Sequence, residues 1–173
     1  DDFYVDVVEA VRAASVTPPR IAVDTSGPAL AAVVERGAPD LIKPNEDELA
    51  ELAGVALDPA APLPEAVVAI AAQLVPSRVA AAFVTLGAAG AVLVSADGAW
   101  HGTPPPTRVR STVGAGDSSL AGFLLAETAG AGPAECVRTG IRYGSAAASL
   151  PGTQAPTPAD LPAGDVPVRT LTP

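Results

Sequence analysis

The sequence predicts an α/β fold in which helices cover a mostly parallel sheet that also contains one antiparallel hairpin. Short β-branched runs are followed by a polar turn and then by a segment with helical spacing, and this order repeats. Residues 20–24 (RIAVD) and 40–43 (DLIK) are two such runs. The run at 79–86 is continuously apolar, as strands covered on both faces usually are. Because 49% of the residues are apolar but only 3% are aromatic, small side chains must build the core.

Apolar spacing and turn residues place the elements in order. Phe3, Val7 and Val11 recur at helical spacing, Gly54 ends the third helix, and the pair Asp97 and Gly98 supplies a hairpin turn. The predicted helices cover residues 2–14, 29–36, 46–53, 65–74, 117–129 and 133–150, and the predicted strands cover 20–24, 40–43, 79–86, 91–95 and 100–103. The Pro- and Thr-rich residues after Gly152 are predicted to be irregular. The sequence therefore predicts a domain at residues 1–155 and a tail at 156–173.

Charge and cysteine content exclude several functional classes. The 173-residue chain has a formal net charge of −9, which argues against partners such as nucleic acid or anionic membrane surfaces. Anionic substrates would have to be bound by local features such as helix N-termini. The single cysteine, Cys136, permits no intrachain disulfide, and no apolar run of about 18 residues is present. These features predict a cytoplasmic protein.

The segment VGAGDSS at 113–119 carries the strongest chemical signal. Gly114, Ala115 and Gly116 stand where a helix opens, so their N–H groups can converge on an anion, and Asp117 follows in the first turn. The same residues are also typical of a simple turn before a helix, with Asp117 at the positive end of its dipole. The residues alone leave both interpretations open. The segment is not a Walker A loop, because no GK[ST] ending follows.

Two other segments follow predicted strands. In KPNEDE at 43–48, Asn45 and Glu48 have the spacing of a capping box, which is the favoured interpretation, although the same side chains could hold Mg²⁺ through water. In TLGAAG at 85–90, Gly87 and Gly90 permit close approach of a nucleotide, but a plain turn between strands explains them nearly as well.

The remaining candidates are weaker. His101 is the only histidine, and its place beside Trp100 in the predicted hairpin favours a structural role over catalysis. A dinucleotide-binding fold is disfavoured because no GxGxxG follows a strand with an acidic residue about 20 positions later.

Taken together, these segments resemble the PfkB (ribokinase-like) family of carbohydrate kinases. The runs VDTSGPAL at 23–30, LIKPNEDEL at 41–49, VTLGAAGAVLV at 84–94 and TVGAGDSSLAGF at 112–123 occur in that family's order and rough spacing. The resemblance implies a three-layer ribokinase-like (Rossmann-like) fold, here truncated at its N-terminal side. It also implies a homodimer in the full-length enzyme.

The resemblance implies a role for each site residue. Asp117 would be the base that deprotonates a sugar hydroxyl, with an anion hole formed by Gly114, Ala115 and Gly116. The residues implied to line ATP are Lys43, Asn45, Thr85, Gly87, Gly90 and Ser145. Asn45 and Glu48 match the NxxE motif that positions Mg²⁺. A K⁺ ion is implied at the backbone carbonyls of Ser111, Val113, Ala147, Leu150 and Gly152, although Gln154 departs from the basic residue of some relatives.

The implied reaction is ATP-dependent phosphorylation of a sugar phosphate, with fructose 1-phosphate giving fructose 1,6-bisphosphate. Tagatose-6-phosphate kinase and 6-phosphofructokinase of the same family are the alternatives, because the motifs present in this chain do not determine which sugar phosphate is bound. A non-catalytic nucleotide-binding module is the alternative from another class. Family members are nearly twice as long, so the chain alone is expected to have little or no kinase activity.

Overall fold

The structure, a computed structural model, describes residues 2–172, which form alternating strands and helices. The helices are α1 (Phe3–Ala14), α2 (Gly27–Ala32), α3 (Glu46–Ala53), α4 (Leu63–Ala71), α5 (Ala115–Thr128) and α6 (Pro133–Ser149). The strands are β1 (Ala22–Val23), β2 (Leu41–Ile42), β3 (Ala81–Thr85), β4 (Ala91–Ser95), β5 (Gly98–Gly102) and β6 (Val168–Leu171). The predicted α/β fold is confirmed.

The strands form one sheet in the order β1-β2-β3-β4-β5-β6. The pairs β1–β2 and β2–β3 are parallel, with Ala22 opposite Leu41 and Leu41 opposite Ala81. Strands β4 and β5 are neighbours joined by a two-residue turn, which only an antiparallel pair allows. Parallel pairs and the predicted hairpin therefore occur together in a mixed sheet.

The chain divides into two compact units, one formed by residues 2–84, 94–99 and 172 and the other by 85–93 and 100–171. In the first unit the core is built from short strands and the inner faces of α2, α3 and α4, with Leu41, Ile42 and Val67 fully buried. In the second unit α5 packs closely against α6, and Phe123 and Val137 are buried. Within residues 2–172, no helix is both long enough and apolar enough to span a membrane.

Two predictions differ from the structure in the kind of element, whereas the bounds of most other predicted elements shift by about one to three residues. The predicted helix at 29–36 begins as α2 and continues as a wider π-helical segment, Val33–Gly37. The guanidinium of Arg12 donates hydrogen bonds of 2.6 and 2.7 Å to the carbonyls of Gly37 and Ala38, which anchors the end of this segment to α1.

The prediction of irregular structure after Gly152 is wrong in part. A short 3₁₀-helix forms at Pro158–Asp160, and Val168–Leu171 form the sixth strand of the sheet. Two long-range hydrogen bonds account for the regular structure of this segment. Arg138 Nε on α6 donates to the carbonyl of Val166 at 3.1 Å, and the Thr103 amide donates to the carbonyl of Pro167 at 3.1 Å. Local sequence spacing carries no signal of such contacts.

Candidate active site

An ion pair between a buried lysine and a partly exposed aspartate lies at the carboxyl ends of β1 and β2. Val23 and Ile42 are opposite each other in the parallel pair, so the residues that follow them, Asp24 and Lys43, leave the sheet side by side. Lys43 Nζ lies 3.1 Å from Asp24 Oδ1, and only 8% of the lysine side chain and 30% of the aspartate side chain are exposed. Ligands bind at this edge of open α/β sheets. The predicted site residue Lys43 is therefore held in a fixed position by Asp24.

We expect Asp24→Asn to lower the free energy of unfolding by about 1–3 kcal/mol, because it leaves the buried Lys43 ammonium without a charged partner. Urea denaturation measures this change. Adding Lys43→Met to Asp24→Asn should recover part of the loss, since no buried charge then remains. As a matched control, Asp2→Asn removes the exposed carboxylate that pairs with Arg36 and should leave the midpoint unchanged. Equal midpoints for wild type and Asp24→Asn would contradict this account of the pair.

A capping box opens α3. Asn45 Oδ1 accepts a hydrogen bond of 2.8 Å from the Glu48 amide, and Glu48 Oε2 accepts one of 2.9 Å from the Asn45 amide. Gly54 ends the helix in the left-handed conformation, with φ of 68°. The capping interpretation of Asn45 and Glu48 is confirmed. Their predicted role toward Mg²⁺ stays a prediction.

Asn45 and Glu48 provide few ligands for a magnesium ion. One carboxylate oxygen of Glu48 takes part in the capping box, which leaves the other to face a ligand or water. Across residues 2–172, no three His, Cys, Asp or Glu side chains gather as a metal site. Mg²⁺ is commonly held by one or two carboxylates together with substrate phosphates and water. Asn45 and Glu48 therefore fit an ion that is bound mainly through the phosphates of a nucleotide.

Glu48 also lines a cleft between α2 and α3 that the sequence analysis did not predict. The cleft has a volume of about 160 Å³, and its walls combine apolar side chains with two carboxylates. The residues that line it are Gly27, Pro28, Leu30, Ala31, Glu48, Glu51 and Leu52. Because it depends on how two helices pack, no motif in the sequence marks it.

The start of α5 is shaped by Gly114, whose φ of 78° lies in the left-handed region that favours glycine. The Ala115 amide donates to the carbonyl of Thr112 at 3.2 Å, so this N–H closes a turn and is not available to an anion. The amides of Gly116 and Asp117 lie in the first helical turn, where N–H groups have no intrahelical acceptor, and no side chain caps them. Of the amides in this turn, those of Gly116 and Asp117 are available to an anion, and the Asp117 side chain is exposed beside them.

Small residues hold α5 tightly against α6. The buried Ser119 Oγ on α5 donates to the carbonyl of Gly140 on α6 at 3.0 Å. A Cβ atom at Gly144 would lie 2.5 Å from Ser119 Oγ and 3.3 Å from the Ala115 carbonyl oxygen, so a side chain there would displace the Ser119 hydroxyl from its present position. The next residue on α6 is Ser145, which is half-buried. The opening of α5 is thereby fixed by the packing of the two helices.

The loop before α5 is tied to the end of α6. The amides of Arg110 and Ser111 donate to the Ala148 carbonyl at 2.8 and 3.3 Å. Two segments with carbonyls predicted to hold K⁺ are therefore neighbours within the second unit. One of those carbonyls, that of Ala147, accepts a hydrogen bond of 3.1 Å from the Leu150 amide.

The turn that connects β3 to β4 contains the predicted residues Gly87 and Gly90. Thr85 ends β3, a single 3₁₀ turn (Gly87–Ala89) follows, and the Leu86 amide donates to the Gly90 carbonyl at 2.8 Å. A Cβ atom at Gly90 would overlap the carbonyl oxygen of Gly102, so glycine is required there on structural grounds. The interpretation as a turn between strands is confirmed. A contact with nucleotide stays a prediction.

The predicted site residues fall into both units. The first unit contains Lys43, Asn45 and Glu48, all at or after the end of β2. The second unit contains Thr85, Gly87, Gly90, Gly114, Ala115, Gly116, Asp117 and Ser145. Asp24, the ion-pair partner of Lys43, was not among the predicted site residues, although it begins the polar segment DTSG after β1.

Comparison with known proteins agrees with these features. Residues 2–160 match the model of the pfkB family carbohydrate kinases. The 1-phosphofructokinase of Rhodobacter capsulatus is 40% identical over 156 residues, which cover 89% of this chain and 48% of that protein. The ATP-dependent 6-phosphofructokinase isozyme 2 of Escherichia coli (strain K12) is 36% identical over 149 residues, covering 86% of this chain and 47% of that protein.

A solved structure shows the same fold. Phosphofructokinase-2 from Escherichia coli in complex with potassium superposes with a TM-score of 0.79 at 35% identity, over 89% of this chain and 49% of that chain. The fold and the strand-end residues thus define a ribokinase-like α/β protein. The chain belongs to the pfkB family of carbohydrate kinases. It spans about half the length of the curated relatives that it matches.

Proposed function

We propose that this chain, over residues 1–155, carries the nucleotide-binding and phosphoryl-transfer part of an ATP-dependent sugar-phosphate kinase. The observation that carries the proposal is the opening of α5, where two available amides stand beside the exposed carboxylate of Asp117. A helix N-terminus of this kind binds phosphate, and phosphoryl transfer depends on fixed donors that meet the charge spread over the transferred group.

In the proposed reaction, Asp117 accepts the proton of the acceptor hydroxyl as its oxygen attacks the γ-phosphorus of ATP. The new O–P bond forms while the bond from the γ-phosphorus to the bridging oxygen breaks, and ADP leaves with that electron pair. The amides of Gly116 and Asp117 stabilise the negative charge on the transferred group. In the anion hole named from the sequence, the Asp117 amide is therefore proposed in place of the Ala115 amide, which donates to the Thr112 carbonyl, whereas Gly114 and Gly116 stay as predicted.

Cations are proposed at two places. Mg²⁺, when bound, neutralises charge on the ATP phosphates, and Asn45 and Glu48 would hold it through water. K⁺ would be bound by carbonyls of the loop before α5 and of the end of α6, as named in the sequence analysis. The hydrogen bonds from Arg110 and Ser111 to Ala148 support this placement, because they bring the two segments together. A complex with potassium is known for the Escherichia coli phosphofructokinase-2.

Fructose 1-phosphate is the proposed acceptor, supported by the 40% identity to a 1-phosphofructokinase. The 36% identity to a 6-phosphofructokinase isozyme keeps the same-family alternatives, including tagatose-6-phosphate kinase, in competition. None of the site residues described above distinguishes one sugar phosphate from another. The non-catalytic nucleotide-binding module is less well supported, because Asp117, Asn45 and Glu48 are all present.

A chimera tests the proposal. In it, this chain replaces the matching segment of the Rhodobacter capsulatus 1-phosphofructokinase, and ADP release is measured with fructose 1-phosphate, fructose 6-phosphate and tagatose 6-phosphate. We expect the chimera to transfer phosphate to fructose 1-phosphate, and we expect any preference among the three sugars to come from the Rhodobacter capsulatus segment, because none of the described site residues of this chain distinguishes them. The chain alone should turn over below about 1% of the chimera's rate, since the acceptor is not held in line with the γ-phosphate.

Two outcomes would contradict the proposal. A folded chimera that binds MgATP but transfers no phosphate to any of the three sugars would favour the non-catalytic module. Turnover by the chain alone at the rate of the chimera would show that the chain needs no further part to hold its acceptor.

A further inference from the structure

His101 is a buried side chain that the proposed reaction does not use. It lies on β5 with 7% of its surface exposed, and its Nε2 is 2.8 Å from the carbonyl oxygen of Ala89. Because a carbonyl oxygen can only accept, Nε2 must carry the hydrogen and donate it. The other ring nitrogen, Nδ1, is buried without a hydrogen-bond partner among the described residues.

Strand β5 contacts the Gly87–Gly90 turn at two successive residues. The His101 side chain bonds to Ala89, and the backbone of Gly102 lies against Gly90, where even a Cβ atom would overlap its carbonyl oxygen. The turn has its own bonds as well, from the Ala89 amide to the Leu86 carbonyl at 2.9 Å and from the Gly90 amide to the Gly87 carbonyl at 3.2 Å. All of these residues belong to the second unit. The side chain of His101 supplies a hydrogen bond between the tip of the turn and the strand, in addition to the backbone approach of Gly102 to Gly90.

Burial alone does not explain a histidine at this position. Leaving Nδ1 without a partner costs free energy, and an apolar ring of similar size would fill the space without that cost. What the histidine adds is the bond from Nε2 to Ala89. That bond fixes the direction of the Ala89 carbonyl, and with it the orientation of the neighbouring peptide groups in the turn.

We propose that His101 is a positioning residue for the nucleotide, which it serves by holding the Gly87–Gly90 turn against β5. This inference rests on the proposed function and on the prediction from the sequence that Gly87 and Gly90 line the bound ATP. Since His101 touches the turn and not the reacting atoms, its loss should weaken nucleotide binding without removing a catalytic group.

The test compares two substitutions of His101, one that removes the hydrogen bond to the Ala89 carbonyl and one that keeps a donor for it. His101→Phe keeps a ring but cannot donate, whereas His101→Gln keeps a side-chain amide that reaches about as far as Nε2. In hydrogen exchange of the full 173-residue chain, we expect the Phe variant to speed exchange of the Ala89 and Gly90 amides about 5- to 10-fold relative to amides of α6. The Gln variant and the exposed control Thr103→Val should stay within about twofold of wild type.

Calorimetric titration of the same proteins with MgATP gives the second measurement. The dissociation constant should rise about 5- to 10-fold in the Phe variant and be restored in the Gln variant. Equal acceleration of all amides would assign His101 a general structural role and overturn the inference, as would faster turn exchange with an unchanged dissociation constant. His101→Leu, which is smaller, repeats the test if the Phe variant does not fold. If the wild-type chain itself binds no MgATP, the proposed function fails, and the inference fails with it.

Discussion

Replacing Asp117 by Asn in the chimera is expected to lower kcat for fructose 1-phosphate about 10³-fold, with the KM for ATP changed less than about threefold. The substitution keeps the size and the helix position of the side chain but removes the group that accepts the hydroxyl proton. The amides of Gly116 and residue 117 remain in the first turn of α5, so the phosphate groups are still met by the same donors. Initial rates at saturating and limiting ATP separate the two parameters.

The matched control is Asp6→Asn. Asp6 is also an exposed aspartate in the first turn of a helix, α1, so the substitution removes the same charge from another helix start. We expect its kcat to be unchanged. An Asp117→Asn chimera that keeps the wild-type kcat would remove Asp117 from the mechanism, and a rise in KM alone would make it a binding residue.

Replacing Gly90 by Ala is expected to lower the free energy of unfolding of the chain by about 3 kcal/mol or more. The φ of Gly90 is 97°, a conformation that residues with a side chain rarely adopt. The added Cβ would in addition overlap the Gly102 carbonyl oxygen and lie 3.0 Å from Cδ of Pro104. Because the overlapping atom belongs to the backbone of β5, the hairpin has to move to make room.

Gly87→Ala in the same turn is a control for a positive φ without crowding. Gly87 also has a positive φ, of 52°, but a Cβ atom there would have no other atom within 4 Å. We expect this control to cost only about 1 kcal/mol, which is the conformational part alone. Thermal and urea denaturation of both variants measure the difference. Equal destabilisation by the two substitutions would show that the close approach of Gly90 to Gly102 contributes nothing.

Local signals allowed much of the fold to be predicted. Helix α3 begins and ends at the predicted residues, Glu46 and Ala53, because its capping box and the glycine that ends it are all encoded within ten residues. The hairpin of β4 and β5 was found from its turn. The glycine-opened start of α5 was also found, since a left-handed residue before a helix favours glycine.

Features that depend on distant contacts were missed. The strand β6 follows a Pro-rich stretch and forms part of the sheet beside β5. The ion pair of Asp24 and Lys43 requires the parallel register of β1 and β2, and the sequence shows only two polar residues 19 positions apart. The bond from His101 to Ala89 requires a 3₁₀ turn to lie against a neighbouring strand.

The candidate site was predicted in its parts but not in its details. The motif at 113–119 identified the helix start and Asp117, yet only the structure shows that the Ala115 amide closes a turn on Thr112. Similarly, the spacing of Asn45 and Glu48 suited both a helix cap and a metal site, and the reciprocal hydrogen bonds confirm the cap. Residue type and spacing therefore give the candidates, whereas hydrogen bonding decides which of their groups are available to a ligand.

The central claim is that this chain carries the nucleotide side of a kinase site, and calorimetric titration of the folded 173-residue chain with MgATP tests it most directly. We predict one site per chain with a dissociation constant between about 10 µM and 1 mM, as is common for enzyme substrates. A chain that has the helix content of the structure by circular dichroism but releases no binding heat at millimolar MgATP would contradict the claim.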